Sequence, residues 1–202
     1  MALAYIDKVT TNRAAFEQKV IQIAGRLGIK PDWLMIVMYA ESKLNHLASN
    51  SGSTAVGLIQ FLNKTLANLG TNREAILSMT NVQQLDYVEK YFVSLGVKGK
   101  MTDVYQVCLA VFLPKYMYSS DSTIIAYSGT ATYNANKGMD IDKNGQLSVG
   151  DVRGWYGKFV PDSVPKTDFL SSPIFLVSVV VLILFMYKQT QYKTVFETKF
   201  SS

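Results

Sequence analysis

The chain has 202 residues, a formal net charge of +5 and a pI near 9.1, with one cysteine and one histidine. The single cysteine excludes an internal disulfide, and the single histidine excludes a metal site built from several histidines. The length suffices for one substantial core, and the positive charge suits an anionic wall or membrane. Because no basic run or binding motif occurs, we expect no nucleic-acid partner.

Helical periodicity dominates the first 159 residues, so the sequence predicts a mainly α domain over 1–159. Caps and breakers place helices at Arg13–Leu27, Pro31–Lys43, Asn63–Leu69, Asn72–Ser78, Val82–Leu95, Asp103–Leu113 and Val149–Tyr156. The segment 119–132, rich in Ser, Thr and Gly, is predicted to be a loop or a short hairpin. No basic-apolar-small export signal precedes the first helix.

Glu41 stands at the end of a predicted helix that is apolar nearly all round. A helix of this kind lies inside a domain, so a carboxyl at its end borders low-dielectric material. Such surroundings raise the pKa of a carboxyl, as a general acid working near neutral pH requires. The alternative is a helix-terminal Glu that merely meets solvent. The glycine-marked turn Gly57–Gln60 that follows favours the general acid.

The motifs around Glu41 resemble those of the soluble-type (SLT) lytic transglycosylases. These are relatives of goose-type lysozyme that cleave the glycan strands of peptidoglycan. The matching residues are Glu41-Ser42, Gly57-Leu58-Ile59-Gln60, Thr65 and Leu69-Gly70, and the departures are Ile59 for Met, Asn63 for Pro and Leu66 for Ala. The resemblance implies a lysozyme-like helical fold and peptidoglycan as substrate.

The resemblance also implies a mechanism with one catalytic residue, Glu41. This Glu protonates the glycosidic oxygen between MurNAc and GlcNAc and then deprotonates the C6 hydroxyl of the sugar, which gives a 1,6-anhydromuramoyl end. Most glycosidases instead use two carboxylates. No second carboxylate follows Glu41 before Glu74, although folding could bring a distant Asp near. A lysozyme-type hydrolase with a second carboxylate and a non-catalytic virion structural protein therefore remain alternatives.

Four further residues are candidates for substrate binding. Ser42 is expected to hydrogen-bond near the acid or the substrate, and Gln60 to line the floor of the cleft. The family also has a tyrosine in an Ala-Tyr-Asn-Ala-Gly sequence, which Tyr133 resembles within Thr-Tyr-Asn-Ala-Asn. Tyr105, on a strongly predicted helix, competes for this role, and the sequence leaves the choice between the two open.

A second motif, at 140–151, fits the twelve-position EF-hand loop. A surface turn rich in Asx hydrogen bonds is the alternative. Gly145 occupies the sharp turn, and Asp rather than Glu stands at position twelve. The predicted ligands of a structural Ca2+ are Asp140, Asp142, Asn144, Gln146 (through its carbonyl), Ser148 and Asp151.

The C-terminal part predicts a membrane anchor. Residues 160–168 are expected to form a linker, 169–188 a transmembrane helix whose residues up to Tyr187 carry no charge, and 189–202 a short basic tail. A single-pass protein without an export signal fits a phage enzyme in a virion membrane or the host cell envelope. We therefore expect a lipid membrane and other virion proteins as partners, besides peptidoglycan.

Overall fold

Eight α-helices and one two-stranded sheet form the part of the chain that the computed structural model describes, residues 2–50 and 52–167. The helices are α1 (Arg13–Leu27), α2 (Pro31–Ser42), α3 (Asn63–Asn68), α4 (Arg73–Ser78), α5 (Asn81–Ser94), α6 (Val104–Phe112), α7 (Ala131–Asn136) and α8 (Val149–Gly157). Strands β1 (Ile124–Tyr127) and β2 (Gln146–Ser148) pair antiparallel. The mainly helical architecture was predicted, with ends within two residues for seven helices.

Helix α7 is the helix that the sequence did not predict. It has six residues, none of them buried, so no apolar period marks it. The Thr130 side chain accepts a hydrogen bond from the backbone N–H of Tyr133 and caps its first turn. A helix this short is stabilised by its cap and by contacts with both strands rather than by its own sequence.

Helix α2 is the centre of the domain. All six side chains from Trp33 to Met38 are fully buried, as its apolar sequence predicts, and α2 packs against α1 and α6. Pro31 occupies its first turn, where a missing N–H does no harm. The indole N–H of Trp33 donates to the carbonyl of Pro165 at 2.9 Å. The chain after α8 therefore packs on the same core as far as Lys166.

The prediction of a membrane-spanning C-terminal helix is corrected. Among residues 2–50 and 52–167, no helix is long and apolar enough to cross a membrane. The longest of them, α1, has 15 residues and so measures about 22 Å, less than the ~30 Å of a bilayer core. The predicted span at 169–188 and the tail at 189–202 lie outside the described residues. The single-pass localisation is therefore not supported, and the virion role that depended on it is dropped.

Candidate active site

Glu41 lies in the last turn of α2, where the chain leaves the core abruptly. The next residues, Lys43 and Leu44, both adopt left-handed backbone conformations, with φ of 56° and 63°. A non-glycine residue costs about 1–2 kcal/mol in this conformation, and such strain concentrates at functional sites. The sharp exit ends the helix directly behind Glu41 and leaves its carboxyl half-buried at the domain surface.

The glycine-marked turn is fixed against the end of α2 by a buried hydroxyl. The Ser42 Oγ lies 3.0 Å from the carbonyl of Met38 and 2.9 Å from the carbonyl of Leu58. Its single proton can serve one carbonyl at a time, and the hydroxyl thereby links the turn to the helix. Ser42 is 7 % exposed, so in this structure it positions the turn rather than facing a substrate.

Gln84 of α5 holds the other side of this turn and was not singled out from the sequence. Its fully buried side chain accepts from the N–H of Leu58 at 3.1 Å and donates to the carbonyls of His46 and Ile76. A Cβ at Gly57 would lie 2.7 Å from the Gln84 Oε1, and Gly57 has a φ of 75°. Glycine is therefore required here for both conformation and space.

Gln60 closes the turn and lines a small cleft. Its backbone is left-handed, with φ of 52°, and its side-chain amide donates to the carbonyl of Gly57 at 3.1 Å. The cleft has a volume of about 50 Å³ and is also lined by Tyr91 and Val111. The pKa of Tyr91 is raised to about 12 by burial and by the nearby Glu41. Gln60 thus lines a small cleft together with Tyr91, and its contact with a substrate stays a prediction.

The hydroxyl of Tyr156, in α8, contacts the Glu41 carboxyl. Its fully buried phenol donates a 2.5 Å hydrogen bond to Glu41 Oε1 across 115 positions of sequence. Burial raises the pKa of Glu41, while the hydrogen bond from Tyr156 and the charge of Lys43 lower it, and the net shift is upward. A carboxyl with a raised pKa remains protonated at a higher pH, as a general acid must.

The two tyrosines chosen from the sequence make other contacts. The Tyr133 hydroxyl donates to Asp140 Oδ2 at 2.6 Å, in the predicted calcium loop. The Tyr105 hydroxyl packs against Gly157, 3.5 Å from the position of a Cβ there. Tyr105 therefore lies next to the end of α8. No sequence signal distinguished Tyr156, because its Gly-Trp-Tyr-Gly setting matches none of the motifs.

Among the described residues, no carboxylate contributes to the shift in the pKa of Glu41. The groups there that shift the pKa of Glu41 are its burial, Tyr156 and Lys43, and no Asp or Glu is among them. The Lys43 ammonium lies over the rings of Tyr39 and Phe159, 4.5 and 4.2 Å from their centres. The site can therefore supply one acid, one phenol and one cation, and this set suits proton transfer by a single residue.

Three of the six residues predicted to hold calcium converge in space. One carboxylate oxygen each from Asp140, Asp142 and Asp151 lie within 4.8 Å of one another. Asn144 Oδ1 accepts from the N–H of Gln146, and Ser148 and Asp151 form a capping box at the start of α8. The Asp140 Oδ1 is buried without a hydrogen-bond partner, and such an atom fits a cation ligand. The donor set, all oxygen, suits Ca2+.

Comparison with known families agrees with the geometry of the N-terminal half. Residues 18–90 match the family model described as the Transglycosylase SLT domain. The match includes Glu41, the turn 57–60 and Gln84, and it ends before α6, the loop 140–151 and Tyr156. No curated protein sequence matches the chain.

Proposed function

We propose, from the premise that residues 18–90 of this chain are a transglycosylase SLT domain, that the protein is a peptidoglycan lytic transglycosylase with Glu41 as its only acid and base. One observation carries the proposal: a carboxyl with a raised pKa, at a strained helix end, hydrogen-bonded by a buried phenol. The influences on the Glu41 pKa are burial, Tyr156 and Lys43, and this supports a mechanism in which one carboxyl transfers both protons.

The reaction needs two proton transfers at one carboxyl group. Protonated Glu41 gives its proton to the glycosidic oxygen as the bond from that oxygen to the muramoyl C1 breaks. The resulting carboxylate then takes the proton of the C6 hydroxyl while O6 bonds to C1. Glu41 ends protonated again, and no water is consumed. The 1,6-anhydromuramoyl end is therefore lighter than a hydrolytic end by one water.

Tyr156 and Lys43 have distinct parts in this scheme. The hydrogen bond of Tyr156 to Oε1 fixes the carboxyl and leaves Oε2 for the substrate. Both Tyr156 and Lys43 stabilise the carboxylate that exists between the two transfers, and this limits the rise of the Glu41 pKa. Gln60, which lines the small cleft with Tyr91, is the residue we expect to contact the glycan.

The test is digestion of purified peptidoglycan by the full chain, followed by mass spectrometry with and without borohydride reduction. We expect muropeptides with anhydromuramoyl ends, which borohydride does not reduce. Glu41→Gln protein, prepared and digested in parallel, controls for contaminating enzymes. Reducing ends would assign hydrolysis of the goose-lysozyme type, and equal products from wild type and variant would refute catalysis by Glu41.

A further inference from the structure

The loop 140–151 contains a buried acceptor that the protein does not satisfy. Asp140 is 6 % exposed; its Oδ2 accepts from Tyr133 and from the N–H of Gly145, but its Oδ1 has no partner. Buried carboxylate oxygens without a partner are rare, because desolvation is not compensated. The Asp140 carboxylate belongs to the three-carboxylate cluster, so the unpaired atom and the cluster both indicate a cation.

The cluster is electrostatically unfavourable without that cation. Three carboxylates with oxygens within 4.8 Å of one another repel. Asp142 accepts two exposed hydrogen bonds from the backbone and the side-chain amide of Asn144, but these neutral donors do not cancel the repulsion. Side-chain and carbonyl oxygens on a flexible twelve-residue loop suit the six to eight ligands of Ca2+ better than the rigid octahedron of Mg2+.

The same loop leads directly to the phenol at Glu41. Strand β2 lies inside the loop, and α8 begins at Val149, before the loop ends. Asp151 belongs to the carboxylate cluster and also accepts from the Ser148 N–H at 2.9 Å, capping α8. Val152 and Tyr156 follow on the buried face of the helix. About one and a half helical turns separate Asp151 from Tyr156.

We propose that Ca2+ bound by the loop 140–151 fixes the start of α8 and thereby holds the Tyr156 hydroxyl on Glu41. Tyr156 is then a positioning residue for the acid, and calcium acts on the site through it. The part of this inference that concerns turnover rests on the proposed function. Binding of calcium and its effect on the fold do not.

The first test measures binding and stability in the full chain. Isothermal titration of metal-free protein with CaCl2 is expected to give a Kd of about 0.1–1 mM, because a single loop with Asp at position twelve binds weakly. At 10 mM Ca2+ the Tm is expected to rise by about 3–10 °C, and by much less at 10 mM Mg2+. No heat of binding and no Tm change in the wild type would overturn the proposal.

A matched pair of variants locates the site. Asp142→Asn removes one ligand charge at an exposed position whose hydrogen bonds stay inside the loop, so the fold survives. Asp162→Asn makes the same change at an exposed position outside the loop. We expect the calcium-induced Tm rise to disappear in the first variant and to persist in the second. An equal rise in both variants would place the calcium elsewhere and overturn the assignment.

The second test separates a link through Tyr156 from general stabilisation. In the wild type we expect kcat to be about 10- to 100-fold higher with Ca2+ than with a chelator, as for a misplaced catalytic group. In Tyr156→Phe the ratio is expected to fall to about 1–2, while the calcium-induced Tm rise remains. A ratio unchanged from wild type would overturn the link. Near-UV circular dichroism, independent of glycan cleavage, is expected to change with calcium in the wild type and less in the variant.

Discussion

Two regions supply the site in different ways. The first, residues 31–70, contains Glu41, Ser42 and the turn to Gln60, and each is positioned by contacts with near neighbours and with α5. The second, residues 124–157, contains the loop 140–151 and α8, and it reaches Glu41 through the hydrogen bond of the Tyr156 hydroxyl. The first region determines where the acid is, and the second how its carboxyl is held.

This difference separates chemistry from its regulation. The position of the acid along the chain and in the core depends on local contacts, and we expect it not to change with the state of the loop 140–151. A phenol on a helix that begins at a charged loop responds to whatever stabilises that loop. Substitutions in the first region should therefore cause large losses of activity or stability. Substitutions in the second region should change kcat and its pH dependence by smaller amounts.

The largest effect is expected from Glu41→Gln, which tests whether the first region alone carries the chemistry. The amide cannot donate or accept the catalytic proton, but it can still accept the Tyr156 hydrogen bond. Removing a general acid lowers rates by about 100- to 10,000-fold. We expect kcat on purified peptidoglycan to fall by this amount while circular dichroism stays unchanged. A loss smaller than tenfold would assign the acid to another residue.

Gly57→Ala tests the local determination of the turn. The alanine would have to adopt the left-handed φ of 75° that Gly57 has, and its methyl group would lie 2.7 Å from Gln84 Oε1. Strain and overpacking together should lower the free energy of unfolding by about 2–4 kcal/mol. Gly70→Ala is the matched control, since its φ is 72° but nothing lies within 4 Å of the new atom. Urea denaturation should show a loss of only about 1–2 kcal/mol there. Equal losses would remove the steric argument for Gly57.

The contrast also explains what the sequence could predict. The apolar run before Glu41, the cap residues and the positive-φ glycine act over a few positions, so their consequences can be inferred from local order. The pairing of Tyr156 with Glu41 spans 115 positions and arises from the packing of α8 on α6, which no local period encodes. The role of Gln84 could not be predicted for the same reason, since a glutamine on an amphipathic helix has no motif in the adjacent sequence that marks it as buried.

Tyr156→Phe should give a moderate effect and sharpen the role of the second region. Because the phenol lowers the pKa of Glu41, its removal should raise that pKa further. With Ca2+ present, we expect kcat to fall about 10- to 100-fold, or ~1.4–2.7 kcal/mol in the barrier. The alkaline limb of the pH–rate profile should move to higher pH, because the acid stays protonated longer. Tyr133→Phe, whose hydroxyl contacts Asp140 instead, should leave that limb in place. An alkaline limb unmoved in both variants would show that Glu41 is not the titrating acid.

The smallest effect concerns stability and pH. Because the pKa of Glu41 is raised by folding, the folded state binds more protons than the unfolded state above the ordinary carboxyl pKa of 4.5. Wild-type stability should therefore decline, relative to Glu41→Gln, as pH rises from about 4.5 through the folded pKa, by up to about 1.4 kcal/mol per pH unit. Urea denaturation from pH 4 to pH 8 measures this difference. The Glu74→Gln variant, at an exposed carboxyl, corrects for removing a charge in general. If the corrected difference is flat, burial does not disfavour the Glu41 carboxylate, and the carboxyl cannot be the acid that the first region is built to hold.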